Sequence, residues 1–184
     1  MAKRKFMIIL IVLLIVFGIG GMILYNNLDS DFTQVGRQIE SDDGNFTVSV
    51  PMTWKTTTAS SQYGILAAKS SDSSMYMQLS LDTDTSDEGT LDQYVNSYIQ
   101  SIAQKSDNAE DQATVVSPVR KKINGHSGYY FEISSTSGGV DVYLWCFCFE
   151  TKSGIVHIDV SSPKNDAEAN ADIASGIINS VDEA

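Results

Sequence analysis

Apolar and polar residues alternate in several stretches of the chain, and each such stretch predicts a strand. Phe46, Val48 and Val50 alternate with Thr47 and Ser49, and Pro51 closes the run. A weaker strand is expected over residues 64–69. In the next run Met75, Met77, Leu79 and Leu81 face one way, with Tyr76, Gln78 and Ser80 opposite. The period then changes to that of a helix. Leu91, Tyr94, Val95, Tyr98, Ile99, Ile102 and Ala103 recur at helical spacing, and Thr90 with Gln93 three residues on forms a capping box. This predicts an amphipathic helix over residues 91–104.

Period-2 patterning returns afterwards. Residues 114–123 read as a strand that Pro118 confines to a sheet edge or a bulge. Asn124-Gly125 is a two-residue hairpin signal. It leads into a strand over residues 126–136 with Tyr129, Tyr130, Phe131 and Ile133. Gly138-Gly139 turns into residues 140–150, where Val142, Leu144, Cys146 and Cys148 share one face and Tyr143, Trp145, Phe147 and Phe149 the other. A strand apolar on both sides belongs in the middle of a sheet covered on both faces. Ser153-Gly154 turns into a last strand over residues 155–161. A closing helix is expected from Ser162-Pro163, with Asn165 and Glu168 as a second capping pair. Ala167, Ala171, Ala174, Ile178 and Val181 share its face, with Ile173 and Ile177 beside it.

The N-terminal segment has another character. Lys3, Arg4 and Lys5 precede an uncharged run bounded by Phe6 and Tyr25. Twenty residues of helix span about 30 Å, the thickness of a bilayer's hydrocarbon core. The basic cluster places the N-terminus in the cytoplasm and the remainder outside. A cleaved signal peptide is the rival reading, with Gly18-Ile19-Gly20 as a weak cleavage site. Met22, Ile23, Leu24 and Tyr25 continue the apolar run past that site, so an uncleaved anchor is expected. The expected organisation is a basic tail (1–5), a transmembrane signal anchor (6–25), a juxtamembrane linker (26–44) and one folded domain (45–184).

The order of elements, with the residues at its corners, resembles the PsbP-like superfamily. The matching features are Phe46-Thr47-Val48-Ser49-Val50-Pro51 followed by Trp54, the helix opening Thr90-Leu91-Asp92-Gln93-Tyr94, the Ile123-Asn124-Gly125-His126 hairpin, and Ile177-Ile178-Asn179-Ser180-Val181. The resemblance implies an α+β fold: an alpha/beta/alpha sandwich around a mainly antiparallel sheet of about six to seven strands. It also implies binding to protein partners rather than catalysis.

Charge narrows the partners. Three of the 12 basic residues precede the apolar run, so nine stand against 23 acidic residues beyond it. Such a surface repels phosphate backbones, and no nucleic acid is expected as a partner. Among chemistry-bearing residues, Cys146 and Cys148 share a strand face. Alone they make half a zinc site, and two buried small hydrophobes are the favoured reading. His157 and Asp159 share a face of the last strand, where a metal or acid-base pair is weighed against an ordinary polar face. His126 follows a turn and is expected to be solvated. Asp82, Asp84, Asp87 and Glu88 form an acidic loop that fails the EF-hand pattern, since its sixth and twelfth positions are Asp87 and Gln93. No Gly-x-Ser-x-Gly, phosphate loop or dinucleotide fingerprint occurs. No catalytic, cofactor or metal residue is therefore assigned.

The expectation is a membrane-anchored extracytoplasmic binding or accessory module acting through a protein or envelope partner. The alternatives are a small-ligand receptor and a hydrolytic enzyme. A deep pocket where Asp or Glu side chains and His157 converge within hydrogen-bond reach would count against the module and for the enzyme.

Overall fold

The computed structural model describes residues 36–83, 90–104, 113–137 and 140–184. The alternating run forms strand β2 (Phe46–Pro51), with Phe46, Val48 and Val50 buried. Strand β1 (Gly36–Glu40) pairs with it antiparallel, Gly36 opposite Pro51 and Glu40 opposite Thr47. This corrects the expected linker over residues 26–44, because folded structure already exists at Gly36. Ile39 is the only buried residue of β1, and one apolar position between Gln38 and Glu40 carries no period.

The main sheet has seven strands: β3 (Lys55–Thr56), β4 (Gly64–Lys69), β5 (Tyr76–Asp82), β6 (Thr114–Ile123), β7 (His126–Ser137), β8 (Val140–Thr151) and β9 (Gly154–Pro163). Their order is β3-β4-β5-β9-β8-β7-β6, and every neighbouring pair is antiparallel. The doubly apolar strand β8 lies inside the sheet, as its pattern requires. β6 takes the edge, and its register slips between Val116 and Val119, around Pro118. The turn at Asn124 and Gly125 has φ of 45° and 87°, both positive as a type I′ hairpin demands. The Gly138-Gly139 turn lies outside the described residues.

Among the described residues, one helix covers each face. Helix α1 (Leu91–Gln104) begins with the expected capping box. The Thr90 N–H donates to Gln93 Oε1 at 3.1 Å and the Gln93 N–H to Thr90 Oγ1 at 3.4 Å. Its Leu91 and Val95 pack with Phe131, Ile133, Cys146, Cys148 and Ile155. Helix α2 (Ala167–Asn179) packs Ala174, Ile177 and Ile178 against the opposite face, with Phe147, Phe149, Val156, Ile158 and the buried side of β2. Trp54 and Trp145 are both buried in this second core.

The start of α2 differs from the sequence expectation. Tyr143 pairs with Ser162 and Val142 with Pro163, so β9 runs through these residues. A 3-10 turn (Lys164–Asp166) intervenes, and Asp166 at the helix start makes no side-chain capping bond. Sheet pairing outcompetes the local capping signal here. Ile173, expected beside the buried face, is 37% exposed. After α2, β10 (Asp182–Glu183) pairs with β2 and completes a second sheet of order β1-β2-β10. The apolar run over residues 6–25 lies outside the described residues. Among the described residues no helix is long and apolar enough to cross a membrane.

Candidate functional site

The face of the sheet beneath α1 carries a polar patch at its centre. β5, β9 and β8 are neighbours, and register sets their side chains in two rows. One row is Gln78, Asp159 and Cys146; the next is Ser80, His157 and Cys148. The sequence paired Cys146 with Cys148 and His157 with Asp159 along their strands. The structure joins the two pairs across the strands into one cluster. The β8–β9 turn makes this join. Thr151 pairs with Gly154, so the turn residues are Lys152 and Ser153 rather than the expected Ser153 and Gly154. Gly154 has φ of 143°, and a Cβ there would lie 2.0 Å from the Asp82 carbonyl oxygen.

Helix α1 supplies the roof. The Tyr98 ring meets the His157 imidazole edge to face, with centroids 4.1 Å apart and planes at 87°. Tyr94 approaches the same imidazole at 6.2 Å. The Tyr98 hydroxyl donates to Asp159 Oδ2 at 3.2 Å. His157 Nε2 and Asp159 Oδ1 lie 2.7 Å apart. They are not aligned for a hydrogen bond, and neither buried atom has another partner among the described residues. One donor atom each from Cys146, His157 and Asp159 lies within 4.8 Å of the other two.

Beside this cluster opens a cleft of about 570 Å³ between α1 and the sheet. His157 and Asp159 line it together with Tyr94, Tyr98, Ser97, Ser101 and the loop residues Ser60 and Ser61. Gln78 holds that loop in place. Its Oε1 accepts from the Ser60 N–H at 2.7 Å, and its Nε2 donates to Ser61 Oγ at 3.1 Å.

Burial governs the electrostatics. It pushes the Cys146 thiol well above its ordinary value, and the nearby Asp159 carboxylate adds to that. Burial raises Cys148 as well, against a lowering by His157. Both thiols are therefore protonated at neutral pH and poor nucleophiles. For His157 the largest single influence is burial, which disfavours the cation, but Asp159 and Cys148, by charge and by hydrogen bonding, together outweigh it and hold the imidazole well above the ordinary value. Burial raises the Tyr98 hydroxyl, followed by the charge of Asp159. His157 is thus a charge partner enclosed by rings.

The other candidates fall away from this cluster. His126 packs against Phe149 with ring planes tilted by 35° and centroids 4.4 Å apart. Asp82 ends β5, whereas Asp84, Asp87 and Glu88 lie outside the described residues. A second cleft, of about 560 Å³, lies on the α2 side and includes Glu132, Tyr143 and Trp145. Its carboxylate is already engaged: Glu132 accepts hydrogen bonds from Tyr130, at 2.7 Å, and from Tyr143. Burial and that contact push the Tyr143 hydroxyl up to about 12.

The described residues form a seven-stranded antiparallel sheet with a helix on each face, and this arrangement is a PsbP-like fold. Cyanobacterial PsbP (CyanoP) from Synechocystis sp. PCC 6803 superposes with a TM-score of 0.63 at 11% identity, over 80% of this chain and 92% of that one. LpqN of Mycobacterium tuberculosis, described as involved in cell envelope biogenesis, gives 0.51 at 11% identity, over 84% and 95%. A Bacteroides thetaiotaomicron protein gives 0.53 at 13% identity over 81% of this chain, which spans about half (48%) of that protein's length. At these identities the likeness is one of fold. No family model matches the sequence, and no curated protein matches it.

Proposed function

We propose that the chain is a non-catalytic accessory module of the cell envelope. The run over residues 6–25 anchors it, and the domain acts outside the membrane through a protein or envelope partner. The α1–sheet cleft is its recognition site. The observation that carries this reading is the floor of that cleft. His157 faces Asp159 at 2.7 Å, and no hydroxyl hydrogen-bonds to its Nε2 among the described residues. The group that does contact His157 is the Cys148 thiol, which is fully buried, raised by that burial and absent from the cleft lining, so the base has no accessible nucleophile to activate. The fold shared with CyanoP and with the envelope-biogenesis protein LpqN supports the reading as analogy only.

The hydrolytic alternative has one observation in its favour: a carboxylate does converge on His157 inside a cleft. The small-ligand alternative names a cationic or apolar molecule, and the cleft sets the Asp82 and Asp159 carboxylates among serine hydroxyls and tyrosine rings.

The test is site-specific photo-crosslinking in the native membrane. A photoreactive residue replaces exposed Tyr63 at the cleft and, in a separate chain, exposed Val119 on β6. One recurrent, near-stoichiometric adduct from position 63 and none from position 119 supports the module. No adduct from either position overturns it and leaves the small-ligand and hydrolytic readings.

A further inference from the structure

The cluster beneath Tyr98 combines three donor types. Cys146 offers sulfur, His157 nitrogen and Asp159 oxygen, all within 4.8 Å. Cys146 is fully buried and His157 is 3% exposed. Burying an imidazole and a carboxylate costs free energy unless each is partnered. An ordinary ion pair would meet that cost with an aligned N–H···O bond. Here the nearest atoms lie 2.7 Å apart out of line, and both lack any other partner among the described residues. In an ion pair with His157, the Cys146 thiol beside it serves Asp159 only as a weak S–H donor.

We propose that Cys146, His157 and Asp159 bind one divalent transition-metal ion, of the zinc class. Sulfur, imidazole and carboxylate together select a borderline ion over calcium or magnesium, which prefer oxygen donors throughout. Bond lengths of about 2.0–2.3 Å in a tetrahedral site put donors about 3.3–3.6 Å apart. His157 Nε2 and Asp159 Oδ1 lie 2.7 Å apart and all three donors lie within 4.8 Å of one another, limits that contain that range. The Cys146 thiol gives up its proton to water on binding.

An outer shell is already in place. The Tyr98 hydroxyl holds Asp159 Oδ2 at 3.2 Å, leaving Oδ1 for the metal. Cys146 and Asp159 sit opposite each other on β8 and β9, with His157 two residues along. The ion would therefore bridge two central strands and, through Tyr98, fix α1 over the cleft. This goes beyond the envelope-module reading, and metal uptake does not depend on finding a partner.

The test uses the full chain in mild detergent, reduced, stripped with chelator and titrated with cobalt(II) alone, then with zinc(II). The expected result is one ion per chain, a near-ultraviolet thiolate-to-cobalt charge-transfer band, and its loss as zinc displaces cobalt. Cys146→Ser should abolish the band and Cys148→Ser should keep it. Tyr98→Phe should weaken affinity by about 10–100-fold. Asp159→Asn, which keeps the side chain's shape, should lose most affinity while retaining the near-ultraviolet circular dichroism of the folded domain. Absence of stoichiometric uptake by the unaltered chain overturns the proposal. So does a band that survives Cys146→Ser or disappears with Cys148→Ser, or wild-type affinity in Asp159→Asn.

Discussion

Tyr98 touches both members of the buried pair on β9: its ring meets His157 at 4.1 Å and its hydroxyl donates to Asp159 at 3.2 Å. One residue of α1 thus joins the helix to the polar centre of a largely apolar interface. Tyr98→Phe keeps the ring and removes the hydrogen bond. Denaturant unfolding of metal-free protein should show a loss of about 1.5–3 kcal/mol, the range for a hydrogen bond to a charged group. An unchanged midpoint would mean that the hydroxyl does not hold Asp159.

Trp145 is buried in the α2-side core, and its ring lies 4.9 Å from that of Tyr143. Trp145→Ala should destabilise the domain by about 3–5 kcal/mol, because the cavity is walled by strands that cannot close on it. A loss under about 1 kcal/mol in chemical denaturation would contradict the placement of β8 inside the sheet.

Cys146 and Cys148 are fully buried and their thiols are raised by that burial. Native protein at neutral pH should resist iodoacetamide, and both cysteines should be alkylated once it is unfolded. Mass spectrometry of the treated protein reads this directly. Rapid labelling of the native chain would place the strand face in solvent.

The turn between β4 and β5 has a well-defined acid response. Asp72 accepts from Ser70 Oγ at 2.5 Å, from the Ser74 N–H at 3.0 Å and from Ser74 Oγ at 2.8 Å. These bonds, the one from Ser70 foremost, lower its carboxyl to about 2. A lowered carboxyl stabilises the fold above its unfolded value of about 3.9, and that contribution fades as pH falls through about 2. The NMR titration of the Asp72 carboxyl carbon should show a midpoint near 2; a midpoint near 4 would mean the turn is open.

Most of the main sheet was legible because each strand carries its own period. Residues 64–69 and the helix at 91–104 match β4 and α1 in both bounds. β3 and β10 have two residues each, too few for any period, and form only because β4 and β2 offer open edges. The site was legible in halves. Alternation put Cys146 with Cys148 and His157 with Asp159, but their meeting depends on which two residues turn the β8–β9 hairpin. Moving the turn by one residue shifts the register by two, which keeps the face and changes every partner. Counting outward from Lys152 and Ser153 would have paired Cys146 with Asp159. Nothing local announces Tyr98 as the roof, because its place depends on how α1 docks.

The small sheet has a consequence for how the molecule is made. Phe46, Val48 and Val50 of β2 lie in the core with Ile177 and Ile178 of α2. Ser180 Oγ accepts from the Ser49 N–H at 2.8 Å, and the Ala184 N–H donates to the Asn45 carbonyl at 2.8 Å. The β2 segment thus depends on residues that lie 131 positions further along the chain. Closing so long a loop is slow, and β2 presents its apolar side to solvent until α2 leaves the ribosome. The domain therefore cannot mature piecemeal from its N-terminal side. Its second core forms in one late step, and until then the β2 segment is the place a chaperone would have to guard.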